Sequence, residues 1–238
     1  GSPMTPSPAA RFRHLHTHGM LRLANAWDAG TARLIEHLGA PAVATTSAGL
    51  AWAQGYPDGD SLDVEALLHA VTGIARVITV PLTVDMEGGY ADDPATVADT
   101  VLRVVRAGAA GINLEDGAGD PALLAAKIRA IRQACAAQGL DVFINARTDV
   151  YLRGLAAEER RVDETLARAA LYRQAGAGGL FVPGLVDVDA IRAVAAACGL
   201  PLNVMLRPQL QADLDRLSSR AIPVDVAFTQ GKSVLGLD

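Results

Sequence analysis

Cysteine, aromatic side chains and net charge are all scarce in this chain of 238 residues, and each scarcity excludes something. The two cysteines, Cys135 and Cys198, have neither metal-ligand spacing nor the density of a disulfide framework, so a reducing, cytoplasmic setting is expected. A net charge of −5 supplies no basic surface for nucleic acid or an anionic membrane. No apolar run approaches the ~20 residues that cross a bilayer, and no signal peptide stands out. Half of the residues are apolar, which is ample for a core. Gly1-Ser2-Pro3 ahead of Met4 reads as an expression scar. Residues 1–19 are therefore taken as scar and lead-in, and 20–238 as a single domain. In the lead-in His14, His16 and His18 alternate, which would align three imidazoles for a metal in an extended segment; a frayed lead-in or first helix is preferred.

From Met20 onward a unit repeats: short apolar run, polar residues, amphipathic helix, glycine, next apolar run. The runs Leu21–Trp27, Ala42–Ser47, Pro81–Glu87, Gly111–Asp116, Asp141–Asp149, Gly179–Pro183 and Pro201–Leu206 predict strands. Between them helices are predicted near Gly30–Leu38, Ser61–Val77, Asp93–Ala107, Asp120–Ala137, Asp163–Ala175 and Asp187–Ala197. Asp93-Pro94 and Asp120-Pro121 are helix starts, an Asp to cap free amides and a Pro preset for the first helical position. Gly39, Gly108 and Gly176 are the matching stops, each just ahead of an apolar run. Such repetition predicts a parallel sheet, and seven successive units favour an α/β (β/α)8 TIM-type barrel. A doubly wound sheet is the alternative, but its nucleotide-binding form is disfavoured because the first βα turn has no G-x-G-x-x-G.

In such a barrel, chemistry belongs at the C-terminal ends of the strands. Those ends read Asn25-Ala26-Trp27-Asp28, Thr45-Thr46-Ser47, Asp85-Met86-Glu87, Asn113-Leu114-Glu115-Asp116, Asn145-Ala146-Arg147-Thr148-Asp149 and Asn203, whereas the strand starts are almost wholly apolar. One polar strand end is explained by solvent; six on one rim point to a shared site. Asp85, Glu87, Glu115 and Asp116 give an excess of negative charge that a divalent cation would neutralise, Mg²⁺ before Ca²⁺ for hard oxygen ligands. Arg147 is the cation placed to grip a carboxylate or phosphonate in two-pronged fashion, with Asp149 either its partner or that of a loop cation. The turn Gly55-Tyr56-Pro57-Asp58-Gly59 carries Asp58 at its tip, as a turn residue or as a further carboxylate brought back to the ion.

Taken together, Asn25-Ala26-Trp27-Asp28, Thr45-Thr46-Ser47, Gly55-Tyr56-Pro57-Asp58-Gly59, Asp85-x-Glu87-Gly88-Gly89-Tyr90, Asn113-Leu114-Glu115-Asp116, Asn145-Ala146-Arg147-Thr148-Asp149 and Pro201-Leu202-Asn203-Val204-Met205 resemble the phosphoenolpyruvate mutase/isocitrate lyase superfamily, over roughly Phe12 to Arg207. The resemblance implies a (β/α)8 barrel that binds Mg²⁺ (or Mn²⁺) and a small 2-oxo or 2-hydroxy carboxylate, and that makes or breaks a C–C or P–C bond through an enolpyruvate-like intermediate. It implies Asp85 as direct metal ligand, with Asp58, Glu87 and Glu115 holding the ion through its waters. Trp27, Thr46, Ser47, Ala48, Asp85, Arg147 and Asn203 are the implied substrate contacts, and Asp58, Glu115 and Arg147 the implied catalytic residues. A homo-oligomer, dimer or tetramer, is implied as well.

Two departures from the family pattern shape the functional expectation. The loop after the fourth strand reads Gly117-Ala118-Gly119-Asp120-Pro121 and lacks the cysteine of the lyases and the asparagine and lysine of the mutases. After Arg207 the eighth unit looks shortened or altered: Leu210–Arg220, then Ile222–Phe228 and a short tail. The expected activity is C–C lysis, decarboxylation ahead of retro-aldol cleavage. A P–C mutase or hydrolase acting on a phosphonopyruvate-like substrate, and a non-catalytic binder of metal and carboxylate, are the alternatives.

Overall fold

The computed structural model describes residues 4–17, 19–205 and the backbone of 224–227. Eight parallel strands close into a barrel in sequence order. They are β1 (Arg22–Ala26), β2 (Val43–Thr45), β3 (Leu82–Asp85), β4 (Gly111–Glu115), β5 (Phe143–Arg147), β6 (Gly179–Phe181), β7 (Leu202–Met205) and β8 (Val224–Ala227). Strand β8 pairs with both β7 and β1 and completes the ring. The expected helix at 210–220 lies outside the described residues. The helices are α1 (Pro8–Leu15), α2 (Ala29–His37), α3 (Ser47–Ala53), α4 (Val64–Val77), α5 (Pro94–Arg106), α6 (Pro121–Ala137), α7 (Arg161–Ala175) and α8 (Val188–Ala197). No described helix is long and apolar enough to cross a membrane.

The predicted starts and stops act as their chemistry requires. The side chains of Asp93 and Asp120 accept the Thr96 and Ala122 amides at 3.1 and 2.9 Å, with proline in the first helical turn behind each. Such a cap stabilises a helix by about 1 kcal/mol. Gly39, Gly108 and Gly176 all take left-handed φ at the helix exits. Asp28, grouped in the sequence with the converging strand ends, is a correction: its carboxylate accepts the Thr31 amide at 2.7 Å in a capping box that starts α2.

The lead-in is ordered. Helix α1 lies under the N-terminal end of the barrel, with Phe12 fully buried and its ring edge-on to Phe143 at 5.2 Å. Gly111 makes room for that ring, since a Cβ there would stand 2.9 Å from it. His16, buried at the end of α1, stacks on Phe143 at 4.3 Å and donates from Nδ1 to the Phe12 carbonyl. The aligned row of imidazoles therefore does not form: His14 is helical, His16 serves packing, and His18 lies outside the described residues. Helix α3 was not anticipated, because Ala48–Ala53 is too short to show a helical period.

The barrel interior is layered from end to end. Phe12, Leu21, Leu23, Ala42, Ala44, Ala110 and Phe143 form one apolar cluster at the N-terminal end. Above it an amide ladder crosses three strands: Asn203 donates to Asn145 at 3.1 Å and Asn145 to Asn113 at 3.0 Å. Charged residues top the ladder. The main core fills the space between strands and helices, with Val84, Ile112, Leu114, Ile144 and Ala146 alternating outward.

Candidate active site

Strand periodicity sets the mouth. On β4 and β5 the inward positions run Gly111, Asn113, Glu115 and Phe143, Asn145, Arg147, and the register pairs Glu115 directly with Arg147. Arg147 Nη1 stands 3.0 Å from Glu115 Oε2, its Nε donates to Asp149 Oδ1 at 2.8 Å, and its guanidinium lies 5.9 Å above the Phe181 ring. Asp149 is fully buried and takes a second arginine, Arg153 Nε at 2.9 Å, on its other oxygen. Both expected partners of Asp149 are thus present, Arg147 and a loop cation; the sequence did not single out Arg153 as that cation, since a loop arginine resembles any solvated charge.

Asp116 is a correction to the acidic rim. It follows Glu115 and so faces the opposite side of the strand. There its carboxylate accepts from Arg168 at 3.0 Å, from Tyr172, and from the Asp149 amide at 3.0 Å. It is neutralised by the protein and supports the β5 end from beneath. Alternation alone separates Glu115 from Asp116, whereas the arginine that meets it lies 52 residues away on α7.

The β3 side is held differently. Asp85 accepts the Ser47 amide on Oδ2 at 3.2 Å and the Glu87 amide on Oδ1 at 3.0 Å, while Thr45 Oγ1 accepts the Asp85 amide. Ser47 opens α3, and its hydroxyl reaches Asp58 at 3.3 Å, so the 55–61 loop returns to the mouth beside Asp85. Glu87 is buried, with left-handed φ of 52°, and takes the amide of Asp60 at 3.0 Å. Ala48 is buried in the first turn of α3. Trp27, 45% exposed, backs onto α3 at Gly49, where a Cβ would stand 3.2 Å from the Trp27 Cβ and 2.7 Å from Thr46. Asn203 sits lower, in the amide ladder, with Oδ1 unpartnered among the described residues.

These placements shift the acids. Burial pushes Glu115 up to about 8, helped by the charges of Asp85, Asp149 and Glu87 and opposed by Arg147. Glu87 is raised by burial and by Asp85, Asp60 and Asp58, against the Asp60 amide. Tyr90 is held protonated by burial and by Glu87 and Asp85. Among the described residues no three carboxylate, imidazole or thiolate groups form an all-protein metal cage. The donor set instead fits Mg²⁺, which keeps several waters and takes one or two carboxylates directly. Asp85 meets only amide N–H groups, and the neighbouring acids strain against one another for want of a positive partner.

The turn after β4 carries no chemistry of its own. Gly117–Gly119 is a tight turn closed by the Gly119 amide on the Asp116 carbonyl, and Asp120 is spent capping α6. Both cysteines are buried away from the mouth, Cys135 in the last turn of α6 and Cys198 just after α8, and burial raises both thiols.

Fold and mouth define a class, the (β/α)8 barrels whose site is an acidic rim beside a clamped arginine. Residues 12–224 match the phosphoenolpyruvate phosphomutase family, and the chain belongs to it. It is 37% identical over 228 residues to an uncharacterized protein of Mycobacterium tuberculosis H37Rv, covering 92% of this chain and 84% of that one. It is 31% identical over 204 residues to an oxaloacetate decarboxylase of Bradyrhizobium sp. ORS 278, covering 83% and 70%. A crystal structure from Burkholderia cenocepacia J2315, classed by name only as a phosphonomutase, aligns with TM-score 0.86 at 43% identity, covering 93% and 92%. The resemblance to the phosphoenolpyruvate mutase/isocitrate lyase superfamily is thus borne out. The protein is an enzyme of that type, and its similarities support a lyase-type activity.

Proposed function

We propose that this enzyme decarboxylates a small 2-oxo diacid of the oxaloacetate kind, with Mg²⁺ or Mn²⁺ at Asp85. One observation carries the choice: no side chain in Gly117–Gly119 can give or take a proton, and no thiol lies at the mouth. In decarboxylation the C3–C4 bond breaks, its electron pair moves into the enolate of the remaining three-carbon acid, and CO₂ leaves without a base. The product needs one proton, and water can deliver it. Retro-aldol cleavage would need a base for the hydroxyl proton; Tyr90, pushed above its ordinary pKa, and Glu115, raised to about 8 and so protonated at neutral pH, are both poorly suited to that. The oxaloacetate decarboxylase relative supports the same reading.

Asp85 would hold the cation directly, with Asp58, Glu87 and Glu115 receiving its waters. A divalent cation supplies stabilisation of negative charge as it develops on the 2-oxo oxygen. Arg147, fixed in orientation by Asp149 and Glu115, keeps further N–H donors to orient an anionic end of the substrate. The Phe181 ring faces the guanidinium at 5.9 Å. Trp27, Thr46, Ser47, Ala48 and Asn203 complete the proposed substrate contacts.

The phosphonomutase-named neighbour keeps a second reading open, cleavage or rearrangement of a phosphonopyruvate-like acid. Purified enzyme incubated with oxaloacetate, its 3-methyl homologue or phosphonopyruvate separates the two. Release of CO₂ that needs both metal and enzyme supports decarboxylation, and phosphate release or isomerisation to an enol phosphate supports the second reading. Metal-dependent binding with none of these would make the protein a carboxylate binder and overturn both.

A further inference from the structure

We infer that Lys127, on α6, is a positioning residue of the active site, tying down the loop that carries Glu87 and Tyr90. The inference deepens the proposed metal and substrate reading. Lys127 is only 6% exposed, and its Nζ donates to the Gly88 carbonyl at 2.7 Å. Burying an ammonium is unfavourable, and burial does depress this one, against the favourable charges of Asp92 and Asp60. A lysine on that face of α6, among Leu124, Ala125, Ile128 and Ile131, is where an apolar residue would otherwise pack.

The carbonyl it holds lies in a strained segment. Among the described residues, Asp60, Glu87 and Tyr90 are the non-glycine positions with left-handed φ, at 52°, 52° and 62°. All three meet at this site, where the Asp60 amide binds Glu87 and the Glu87 amide binds Asp85. Such conformations persist only where the surroundings over-determine them. The Gly88 carbonyl sits between Glu87 and Tyr90, so a donor fixed to it from a rigid helix resists the peptide rotation that would relax either residue. Lys127 thereby sets the direction of Glu87 without touching substrate. Sequence reading missed it, although a lysine inside an apolar helical stripe is the signal that could have found it.

Lys127→Met keeps the stem and removes the donor, and Lys127→Arg keeps a donor. Backbone hydrogen exchange across residues 86–90 is followed in metal-free protein, and Mn²⁺ affinity by electron paramagnetic resonance. The expected result is loop exchange at least about tenfold faster in Lys127→Met with the rest of the barrel unchanged. Mn²⁺ binding should be about 10–100-fold weaker, as for other residues that orient a ligand, and Lys127→Arg should recover part of both. Parental loop exchange in a folded Lys127→Met, or faster exchange spread evenly over the barrel, overturns the inference. If Lys127→Met does not fold, Lys127→Gln takes its place and the same outcomes decide. A parent protein that binds no Mn²⁺ defeats the metal reading alone, because the exchange measurement still decides the tether.

Discussion

The two sides of the barrel mouth hold the same side-chain type in opposite ways. On the β5 side, Asp149 and Asp116 are wholly buried, and each is met by arginine: Arg147 and Arg153 on one, Arg168 on the other. On the β3 side, Asp85, Glu87 and Asp58 receive only amide and hydroxyl donors, from the start of α3, the 58–60 loop and the β3 end. Glu115 stands between the two groups, paired with Arg147 yet raised by burial and by the acids around it. A carboxylate answered by arginine is a finished structural element. One that meets only N–H and O–H groups still has lone pairs and charge to offer. The first set builds the clamp, and the second is where an added cation would be stabilised.

Asp149→Ala should show the largest effect of breaking the paired side. It breaks a buried pair and leaves Arg147 with Glu115 as its remaining counter-ion, Arg153 being half-exposed; breaking a buried pair costs about 3–5 kcal/mol. Urea unfolding followed by circular dichroism measures it; a loss under 1 kcal/mol would mean that the pairs contribute little.

On the unpaired side Asp85→Ala should do the reverse, leaving stability near parental while lowering kcat by about 10²–10³-fold, the scale of losing one group that stabilises developing charge. Steady-state kinetics on the substrate found active tests this, and undiminished turnover after exhaustive chelation would remove the cation from the reading. Arg147→Lys sharpens the boundary between the sides. Losing a charge-assisted contact worth about 1.5–3 kcal/mol should reduce kcat/KM about 10–100-fold, although the charge is kept. Parental kcat and KM would leave Arg147 as only the partner of Asp149 and Glu115.

Glu115 gives a pH test. Its folded pKa of about 8 lies above the ordinary carboxylate range, so the folded state keeps a proton that the unfolded chain releases. Its contribution to stability is therefore present at low pH and lost as pH rises from about 4.5 through 8, with a slope of at most about 1.4 kcal/mol per pH unit. Metal-free Glu115→Gln should flatten that fall in denaturation curves across pH 5–8; an unchanged profile would place the titration elsewhere. The smallest effect expected is none: Cys135→Ala with Cys198→Ala should leave turnover within about twofold, since neither buried thiol takes part. A loss of turnover with the fold intact would show an overlooked acid.

Local periodicity made most of the barrel legible. Alternating apolar strands, Asp-Pro starts and glycine stops are short-range signals, because each depends on hydrogen bonds or φ angles within a few residues. Asp120 could be read as a cap from its neighbours alone, and it is one. Asp28 and Asp116 were misread for the same reason in reverse. Counting them with the rim took their place near a strand end as sufficient, whereas a side chain's direction decides what it meets. Helix α1 falls where a first helix was one of the two readings of the lead-in, whereas α3 carries too few turns for a period to stand out, yet it presents Ser47 to Asp85.

By itself the sequence determined the strand and helix order, the polar strand ends and the lack of any acid or base in Gly117–Gly119, all written within single segments. The tertiary structure alone decided that Asp116 is neutralised and Gly88 tethered. Arg147 and Arg153 lie within four residues of Asp149, but the arginine that answers Asp116 and the lysine that holds Gly88 come from helices brought close only when the barrel closes. Charge interactions fall off over a few ångströms and ignore distance along the chain, so the division between clamp and cation site exists only in the folded mouth.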